Sequence, residues 1–253
     1  MDASGYGRVL PRLLDLEATT DLPTRGAIYS HITDENRTKK NGENIFVHSF
    51  NDNRDWIWVI PFNDNTSSVG VVGDLSTVES LEGEGKLLNF FQNFDDLKGR
   101  FEGQSFKLPV DSKKGYSVKA KQLHGDGFAL CGNSTEFIDP VFSSGVTFAM
   151  ISGNLSAKLV DRQLNGENVD WQAEYDEYLA KGLKVFKAFI RMWYEGTFQR
   201  IVFAKYTSEG IRRQICSVLA GYVWDETNPF ITKGERVLSN LMKVVSYAEE
   251  EGK

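Results

Sequence analysis

The sequence predicts an α+β fold in which an antiparallel sheet occupies the first half and helices occupy the second. The first half carries short runs rich in Ile, Val, Phe, Tyr and Trp, which Asn- and Asp-containing turns separate. The second half carries long runs with apolar residues three or four positions apart. Because the strands come first and the helices follow, the order is typical of an α+β fold.

Four strands are predicted in the first sheet: Gly26–Thr33, Asn44–Phe50, Trp56–Phe62 and Ser67–Val72. The short polar loop between the last two predicts a hairpin. Trp56 and Trp58 are two residues apart, so they share one face of their strand. Two indoles on one face bury a large area, whether they line a core or a ligand pocket.

The next elements are a helix around 87–94 and strands at 101–108 and 116–121. The apolar run 128–131 suits a strand buried on both faces, as in a parallel sheet. Four helices then follow, at Ser144–Leu164, Trp171–Met192, Arg212–Val223 and Gly234–Glu249. The aromatic stripe of the second of these helices is typical of a packing face.

Composition excludes several classes of protein. With 29 Lys and Arg against 35 Asp and Glu, the net charge is −6 and no basic cluster suits bulk nucleic-acid binding. No apolar stretch is long enough for a membrane span, and no secretion leader is visible, which predicts a cytoplasmic protein. The two cysteines, Cys131 and Cys216, are too few for a disulfide scaffold or a zinc site, and we interpret them as buried thiols in a reducing compartment.

The sequence opens on a glycine-rich turn at 2–8, as though the strand that feeds this turn had been cut off. A floppy N-terminal turn is the alternative.

The candidate site is the loop from Gly132 to Val146, between the apolar run and the long helix. A helix that starts near Ser143 or Ser144 offers free backbone N–H groups and a partial positive charge. This combination binds anions or the polar edge of a cofactor. A plain N-cap by Ser143, without a ligand, explains the same residues.

Three separated motifs resemble those of flavin-dependent halogenases and related FAD-dependent monooxygenases. The loop carries Phe137-x-x-Pro140-x-x-Ser143-x-Gly145, and the tryptophan pair belongs to a W-x-W-x-I-P element at 56–61. The D-A-S-G turn at 2–5 is similar to the end of a strand of the FAD-binding domain. Further likeness at 193–196, 219–225 and 228–229 extends the resemblance over nearly the whole chain.

The resemblance implies a four-part organisation: 1–25 as the partial end of an FAD-binding domain of the glutathione-reductase or Rossmann type, 26–125 as a substrate-side sheet, 126–165 as a return to the flavin site, and 166–253 as a helical region. It also implies FAD, used as FADH2, together with chloride or bromide. A separate flavin reductase would supply the reduced flavin. The reaction would be halogenation or monooxygenation of an aromatic substrate through a peroxyflavin.

The same resemblance nominates site residues. Cofactor contacts are expected at Gly132, Asn133, Asp139, Pro140, Ser143, Ser144, Gly145 and Val146. Of these, Ser144 and Gly145 would also face the halide. Residues on the substrate side are expected to be Trp56, Trp58, Phe142 and His31. His31 and His48 fall on alternating strands, so both are expected to face the substrate cavity unless they are structural.

Two departures from the family pattern limit these expectations. No G-x-G-x-x-G turn, which begins the N-terminal half of family members, occurs in this sequence. The lysine that is catalytic in the family belongs to that same half, so the catalytic residue is left unassigned. The chain is therefore expected to be the C-terminal portion of a longer flavoprotein. Phe142 occupies a place where tryptophan halogenases carry Glu, which favours phenolic, pyrrolic or carrier-bound substrates. A non-catalytic remnant and an aromatic-ligand binding module are the alternative functions.

Overall fold

The computed structural model describes residues 1–38, 42–204 and 207–250. The chain divides into two compact units, one made of Pro23–Tyr116 and the other of Met1–Leu22 with Ser117–Lys253. The strands are β1 Glu17–Ala18, β2 Gly26–Thr33, β3 Phe46–Phe50, β4 Asp55–Pro61, β5 Thr66–Gly73, β6 Asp111–Lys114, β7 Val118–Ala120, β8 His124–Gly125, β9 Phe128–Ala129 and β10 Glu136–Phe137.

The α-helices are α1 Val9–Leu13, α2 Leu75–Ser80, α3 Glu84–Gln92, α4 Ser144–Leu164, α5 Tyr178–Tyr194, α6 Thr197–Phe203, α7 Glu209–Leu219, α8 Pro229–Thr232 and α9 Gly234–Glu250. Tight 3-10 turns lie at Gly5–Gly7, Asp95–Leu97 and Gly132–Ser134, and a π-helical turn at Gln172–Glu177 leads into α5. Within the described residues, no helix is both long and apolar enough to cross a membrane.

The 23–116 unit is built on a five-stranded antiparallel sheet in the order β3-β4-β5-β2-β6. The four predicted strands are confirmed. One face of the sheet packs on α2 and α3 around a core that includes Ile28, Ile57, Val71 and Phe91, each 0% exposed. Apolar residues, most of them β-branched, occupy most of the alternate positions of these strands, so their side chains cover this face of the sheet.

The predicted strand at 101–108 is wrong. This segment consists mainly of turns and bends. It forms one isolated bridge with the sheet, between Phe106 and Ile32, and backbone hydrogen bonds with Thr33 and His31, but no continuous strand pairing within the described residues. The fifth strand is instead β6, whose residues are polar and mostly exposed. An edge strand with both faces largely in solvent carries no apolar alternation, so the sequence pattern could not reveal it.

A buried carboxylate fixes one end of this sheet. Asp34 is 0% exposed and accepts hydrogen bonds from Arg100 Nε at 2.9 Å, Arg37 Nε at 3.0 Å and the Ser67 hydroxyl. Burial opposes ionisation, but the Arg100 and Ser67 hydrogen bonds and the two guanidinium charges hold the pKa of Asp34 below its ordinary value.

The opposite face of the sheet depends on a glycine. Gly70 pairs with Trp58 across β4 and β5, and a Cβ at Gly70 would lie 2.2 Å from the Trp58 ring. The absence of a side chain at Gly70 therefore allows the indole to lie flat on β5, where Trp58 Nε1 donates to the Ser68 hydroxyl at 3.0 Å.

We expect Gly70→Ala to lower the free energy of unfolding by about 1 to 3 kcal/mol, since the added methyl displaces the indole. Gly85→Ala is the matched control, because a Cβ there meets nothing within 4 Å and alanine favours the helix by up to about 1 kcal/mol. Guanidinium unfolding measures both variants, and tryptophan fluorescence reports the displaced ring. A Gly70→Ala protein as stable as the parent would contradict the prediction.

The second unit combines residues 1–22 with residues 117–253, and its described part contains two small sheets. β1, β7 and β10 form a three-stranded antiparallel sheet, while β8 and β9 form a separate hairpin. Only residues 128–129 of the predicted strand at 128–131 form a strand, and among the described residues this strand does not belong to a parallel sheet. β9 pairs antiparallel, and the parallel contact is one bridge between Leu130 and Asp2.

The predicted helices of this unit are confirmed with shifted ends. Leu179, Leu183, Phe186 and Ile190 of α5 are all buried, as the aromatic and aliphatic stripe predicts. Both cysteines are free, but the interpretation of two buried thiols is wrong, because Cys216 is exposed on α7. An amphipathic helix leaves one face in solvent, and Cys216 lies on that face.

Candidate functional site

Asp2 anchors the start of the chain to the loop after β9. Its backbone N–H donates to the carbonyl of Ala129 at 2.8 Å, and its carbonyl accepts from the N–H of Cys131 at 2.8 Å. The buried carboxylate accepts from the backbone N–H groups of Ser4 and Leu10, each at 2.7 Å. Although burial opposes ionisation, these hydrogen bonds hold the pKa of Asp2 below its ordinary value. The N-terminal turn is thus fixed on the candidate loop.

Arg8 is a second anchor that the sequence analysis did not assign to the site. Its side chain is 2% exposed and donates to the carbonyls of Asn133 at 3.0 Å, Ser134 at 3.2 Å and Lys119 at 2.9 Å. Arg8 has a φ of 44°, in the left-handed region that residues other than glycine seldom adopt. The buried guanidinium, positioned by this backbone conformation, thus fixes the Gly132–Ser134 turn through its carbonyl groups.

Gly132 meets α4 at close range. It has a φ of +56°, its N–H donates to the Ser152 hydroxyl at 2.9 Å, and a Cβ there would lie 3.1 Å from the Cβ of Ala149. The facing positions of α4 are small, which lets the backbone of the turn approach the helix. These positions are Gly145, Ala149, Ser152, Gly153 and Ser156.

A cavity of about 420 Å³ opens beside this contact. Four of the predicted cofactor residues line it, namely Gly132, Asn133, Gly145 and Val146. The other lining residues were not predicted, although the glycine and alanine spacing of α4 is a signal that could have found some of them. They are Met1, Ala3, Gly5, Cys131, Phe137, Ala149 and Gly153.

The first turn of α4 has no side-chain cap from the described residues. Ser143 precedes the helix with a φ of 51°, and in the part of the chain that the structure describes no side chain caps the helix. The plain N-cap that the Ser143 hydroxyl would provide is therefore not formed. The first N–H groups of a helix have no intrahelical partner, so they can bind an anion or a carbonyl. Ser144 is buried and Ser143 is exposed.

The Phe and Gly of the loop motif touch each other. A Cβ on Gly145 would lie 3.0 Å from the ring of Phe137, which in turn lies 5.6 Å from the ring of Tyr6. The spacing of this motif therefore has a local physical reason, since the Phe137 ring needs a position without a side chain at the start of α4.

Asp139 and Pro140 shape the loop and do not line the cavity. Asp139 is buried, and its carboxylate accepts from the N–H of Val141 at 2.9 Å and from the hydroxyl of Tyr194 at 2.8 Å. The carbonyl of Pro140 accepts from the N–H of Ser143 at 2.9 Å. Both contacts close the bend that leads into α4.

Phe142 packs on helices within the same unit. Its ring lies 5.2 Å from that of Phe198, 5.9 Å from that of Trp193 and 6.4 Å from that of Phe189. Its position in this aromatic cluster follows from burial of apolar area.

The remaining predicted residues lie on the 23–116 unit. The register places Trp56, Trp58, Tyr29 and His31 on one sheet face, which we call the aromatic face. The ring centroids of Trp56 and Trp58 lie 5.6 Å apart. Burial and the negative charge of the Asp111 carboxylate raise the pKa of Tyr29. His48 pairs with Ile57, so it belongs to the opposite face and does not join His31, contrary to our expectation of one shared cavity.

Comparisons with known proteins show which family this chain resembles. A family model described as tryptophan halogenase matches residues 2–202. A 1H-pyrrole-2-carbonyl-(peptidyl-carrier protein) chlorinase from Pseudomonas fluorescens is 25% identical across 99% of this chain and 56% of its own length. The chain therefore spans a little over half the length of that relative.

Solved structures share the fold. A flavoprotein/dehydrogenase from Cytophaga hutchinsonii has a TM-score of 0.91 and 40% identity, covering 98% of this chain and 61% of that protein. The halogenase PltM, solved with phloroglucinol and FAD, has a TM-score of 0.65 and 16% identity, covering 100% of this chain and 59% of its own. The family-model match covers most of the chain, so the chain belongs to the tryptophan halogenase family of flavin-dependent halogenases.

Proposed function

We propose that this chain binds FAD, used as FADH2, at the cavity beside Gly132 and takes part in halogenation of an aromatic substrate. The observation that carries the proposal is the cavity itself, where Gly145 and Val146, in the uncapped first turn of α4, lie beside a wall of glycine and alanine. A wall without side chains lets a flat ring reach the backbone, and N–H groups at a helix start stabilise negative charge.

The residues present fit a flavin. The cavity volume of about 420 Å³ is within the range of small-molecule sites, and its glycines leave room that a Cβ would fill. Bound FADH2 would supply the oxygen and halide chemistry. The first-turn N–H groups near Gly145 and the Ser144 hydroxyl would hold the halide, while Asn133 would donate a hydrogen bond to a ribityl hydroxyl.

The aromatic face of the other unit suits an aromatic substrate. Trp58 is partly exposed and offers ring surface for stacking beside the buried Trp56, and His31 lies on the same face. With Phe142 at its position in the loop, we propose a phenolic, pyrrolic or carrier-bound substrate. The Pseudomonas relative is described as acting on a carrier-bound pyrrole, which supports the last two classes. A flavin reductase is the proposed partner that delivers FADH2.

The test incubates the chain with FAD, a flavin reductase, NADH, oxygen and bromide, and offers phenol and a pyrrole-2-carboxyl thioester as probes. We expect saturable FAD binding by this chain. A brominated product, which mass spectrometry identifies by its isotope pattern, is expected from the longer flavoprotein that supplies the family lysine. Gly145→Val, which puts side-chain atoms against Phe137, is expected to weaken FAD binding by more than about tenfold. Gly85→Val is the matched control, since Gly85 is also the second residue of a helix and has open space around it.

Each other outcome has a distinct meaning. A hydroxylated product that forms without halide would replace halogenation by monooxygenation. Folded protein that binds no FAD would overturn the proposal. Quenching of tryptophan fluorescence by the aromatic probes alone would then favour the aromatic-ligand binding module.

A further inference from the structure

Two side chains of α5 contact the carboxylates of Glu136 and Asp139, which flank Phe137 and Ile138 in the loop. Lys187 Nζ lies 2.5 Å from Oε1 of Glu136, and both side chains are largely buried. Seven residues further along α5, the hydroxyl of Tyr194 donates to Oδ2 of Asp139 at 2.8 Å. Residues seven apart lie on nearly the same face of a helix, so both contacts come from one side of α5.

The spacing of the two contacts matches the length of the segment. Seven residues of α-helix rise about 10.5 Å, and three extended residues span at most about 10 to 11 Å. The stretch from Glu136 to Asp139 is therefore long enough to follow α5 between the two contacts when it is extended, and Glu136–Phe137 is strand β10. Ile138 supports this conformation, because its carbonyl accepts from the Ser117 hydroxyl at 2.6 Å.

The 136–139 segment forms part of the cavity lining. The ring of Phe137 lines the cavity and lies against Gly145, and Asp139 bridges Tyr194 to the N–H of Val141 just before α4 begins. A shift of the segment along α5 would move the Phe137 ring across the first turn of α4. The position of the N–H groups relative to the cavity therefore depends on α5.

Lys187 has a wider charge network than Tyr194. Its Nζ also lies 3.7 Å from Oδ2 of Asp21, and Asp21 pairs with Lys119 at 3.6 Å. Lys119 lies opposite Glu136 in the register of β7 and β10. Two lysines and two carboxylates therefore alternate around the start of the segment. Loss of Lys187 would leave Glu136 and Asp21 as neighbouring negative charges.

We propose that Lys187 and Tyr194 are positioning residues that clamp the 136–139 segment along α5 and thereby set the flavin cavity. The clamp rests on the proposed function for its role in flavin binding, but its effect on the loop can be measured without flavin. Neither side chain needs to touch the cofactor.

The test compares Lys187→Met, Tyr194→Phe and Lys187→Met/Glu136→Gln by hydrogen–deuterium exchange and by FAD titration. In Lys187→Met, amide exchange across 137–146 should rise at least about tenfold and FAD affinity should fall by a similar factor, as expected when one partner of a largely buried ion pair is removed. Tyr194→Phe should give a smaller change in the same amides. The double variant should return exchange to within about threefold of the parent, because no charge is left unpaired.

Lys184→Met is the matched control, since Lys184 is an exposed lysine one turn earlier on α5, and it should change exchange by less than about twofold. Unchanged loop exchange in Lys187→Met and Tyr194→Phe would overturn the clamp. So would faster exchange that Glu136→Gln does not rescue, because that result points to lost packing of α5. A parent chain that binds no FAD would contradict the proposed function, whereas the exchange data would still decide the clamp. Altered exchange with unaltered FAD affinity would overturn its role at the cavity.

Discussion

Replacing Arg8 by methionine is expected to lower the free energy of unfolding by about 3 to 5 kcal/mol. Arg8 is almost fully buried, and its guanidinium donates to the carbonyls of Asn133, Ser134 and Lys119. Methionine fills a similar volume but donates no hydrogen bond, so three carbonyls lose their charged donor at once. A lysine at this position should recover only part of the loss, because an ammonium cannot reach three carbonyls with the planar geometry of a guanidinium.

Guanidinium unfolding, followed by hydrogen exchange at 132–137, measures the Arg8 variants. Arg12→Met is the matched control. Arg12 is 60% exposed and lies 3.6 Å from the same Glu17 carboxylate that Arg8 contacts, so its loss should cost no more than about 1 kcal/mol. If the two variants were equally stable, the buried carbonyl contacts of Arg8 would not be what fixes the Gly132 turn.

Asp34→Asn should destabilise the 23–116 unit by about 3 to 5 kcal/mol at neutral pH. The change keeps the shape of the side chain but removes the charge that faces Arg37 and Arg100, whose side chains are 14% and 11% exposed. Glu35→Gln removes the same charge at the next position, which is exposed, and should change stability by less than about 0.5 kcal/mol. An equal loss in both variants would show that net charge matters more than the buried ion pairs.

The Asp34 effect should depend on pH in one direction. The pKa of Asp34 is below its ordinary value in the folded protein, so its contribution is fully present above the ordinary pKa of about 3.9. As pH falls through the lowered folded pKa, the native carboxylate protonates and the contribution is lost. The stability difference between parent and Asp34→Asn should therefore stay constant from pH 7 to about pH 5 and shrink below pH 4, as urea unfolding at each pH would show. A difference that grew on acidification would contradict this assignment.

Local patterns predicted much of the fold for identifiable reasons. The alternation in β2, β4 and β5 follows from one buried face, and the stripe of α5 follows from a helical period against one core. The polar strand Asp111–Lys114 escaped detection because neither of its faces is buried enough to impose alternation. Phe101 is 1% exposed, yet it reaches the core from a turn, which explains why an apolar segment was mistaken for a strand.

The candidate loop was predictable because a glycine, small polar residues and a helix start follow one another in the chain. Its supports were not, because they come from distant positions. Arg8 reaches Ser134 across 126 residues, and Tyr194 reaches Asp139 across 55. An arginine in a glycine-rich turn has no sequence signal that distinguishes a buried anchor from a solvated side chain.

The sequence alone determined the strands with one apolar face, the helices and the Gly132–Val146 loop, since each depends on neighbours within a few positions. Only the tertiary structure decided that Gly132, Asn133, Gly145 and Val146 share one cavity while Asp139 and Phe142 contact helices. It also decided that His31 and His48 lie on opposite sheet faces. The physical reason is that burial and long-range hydrogen bonds select one register and one packing among many that local propensity allows.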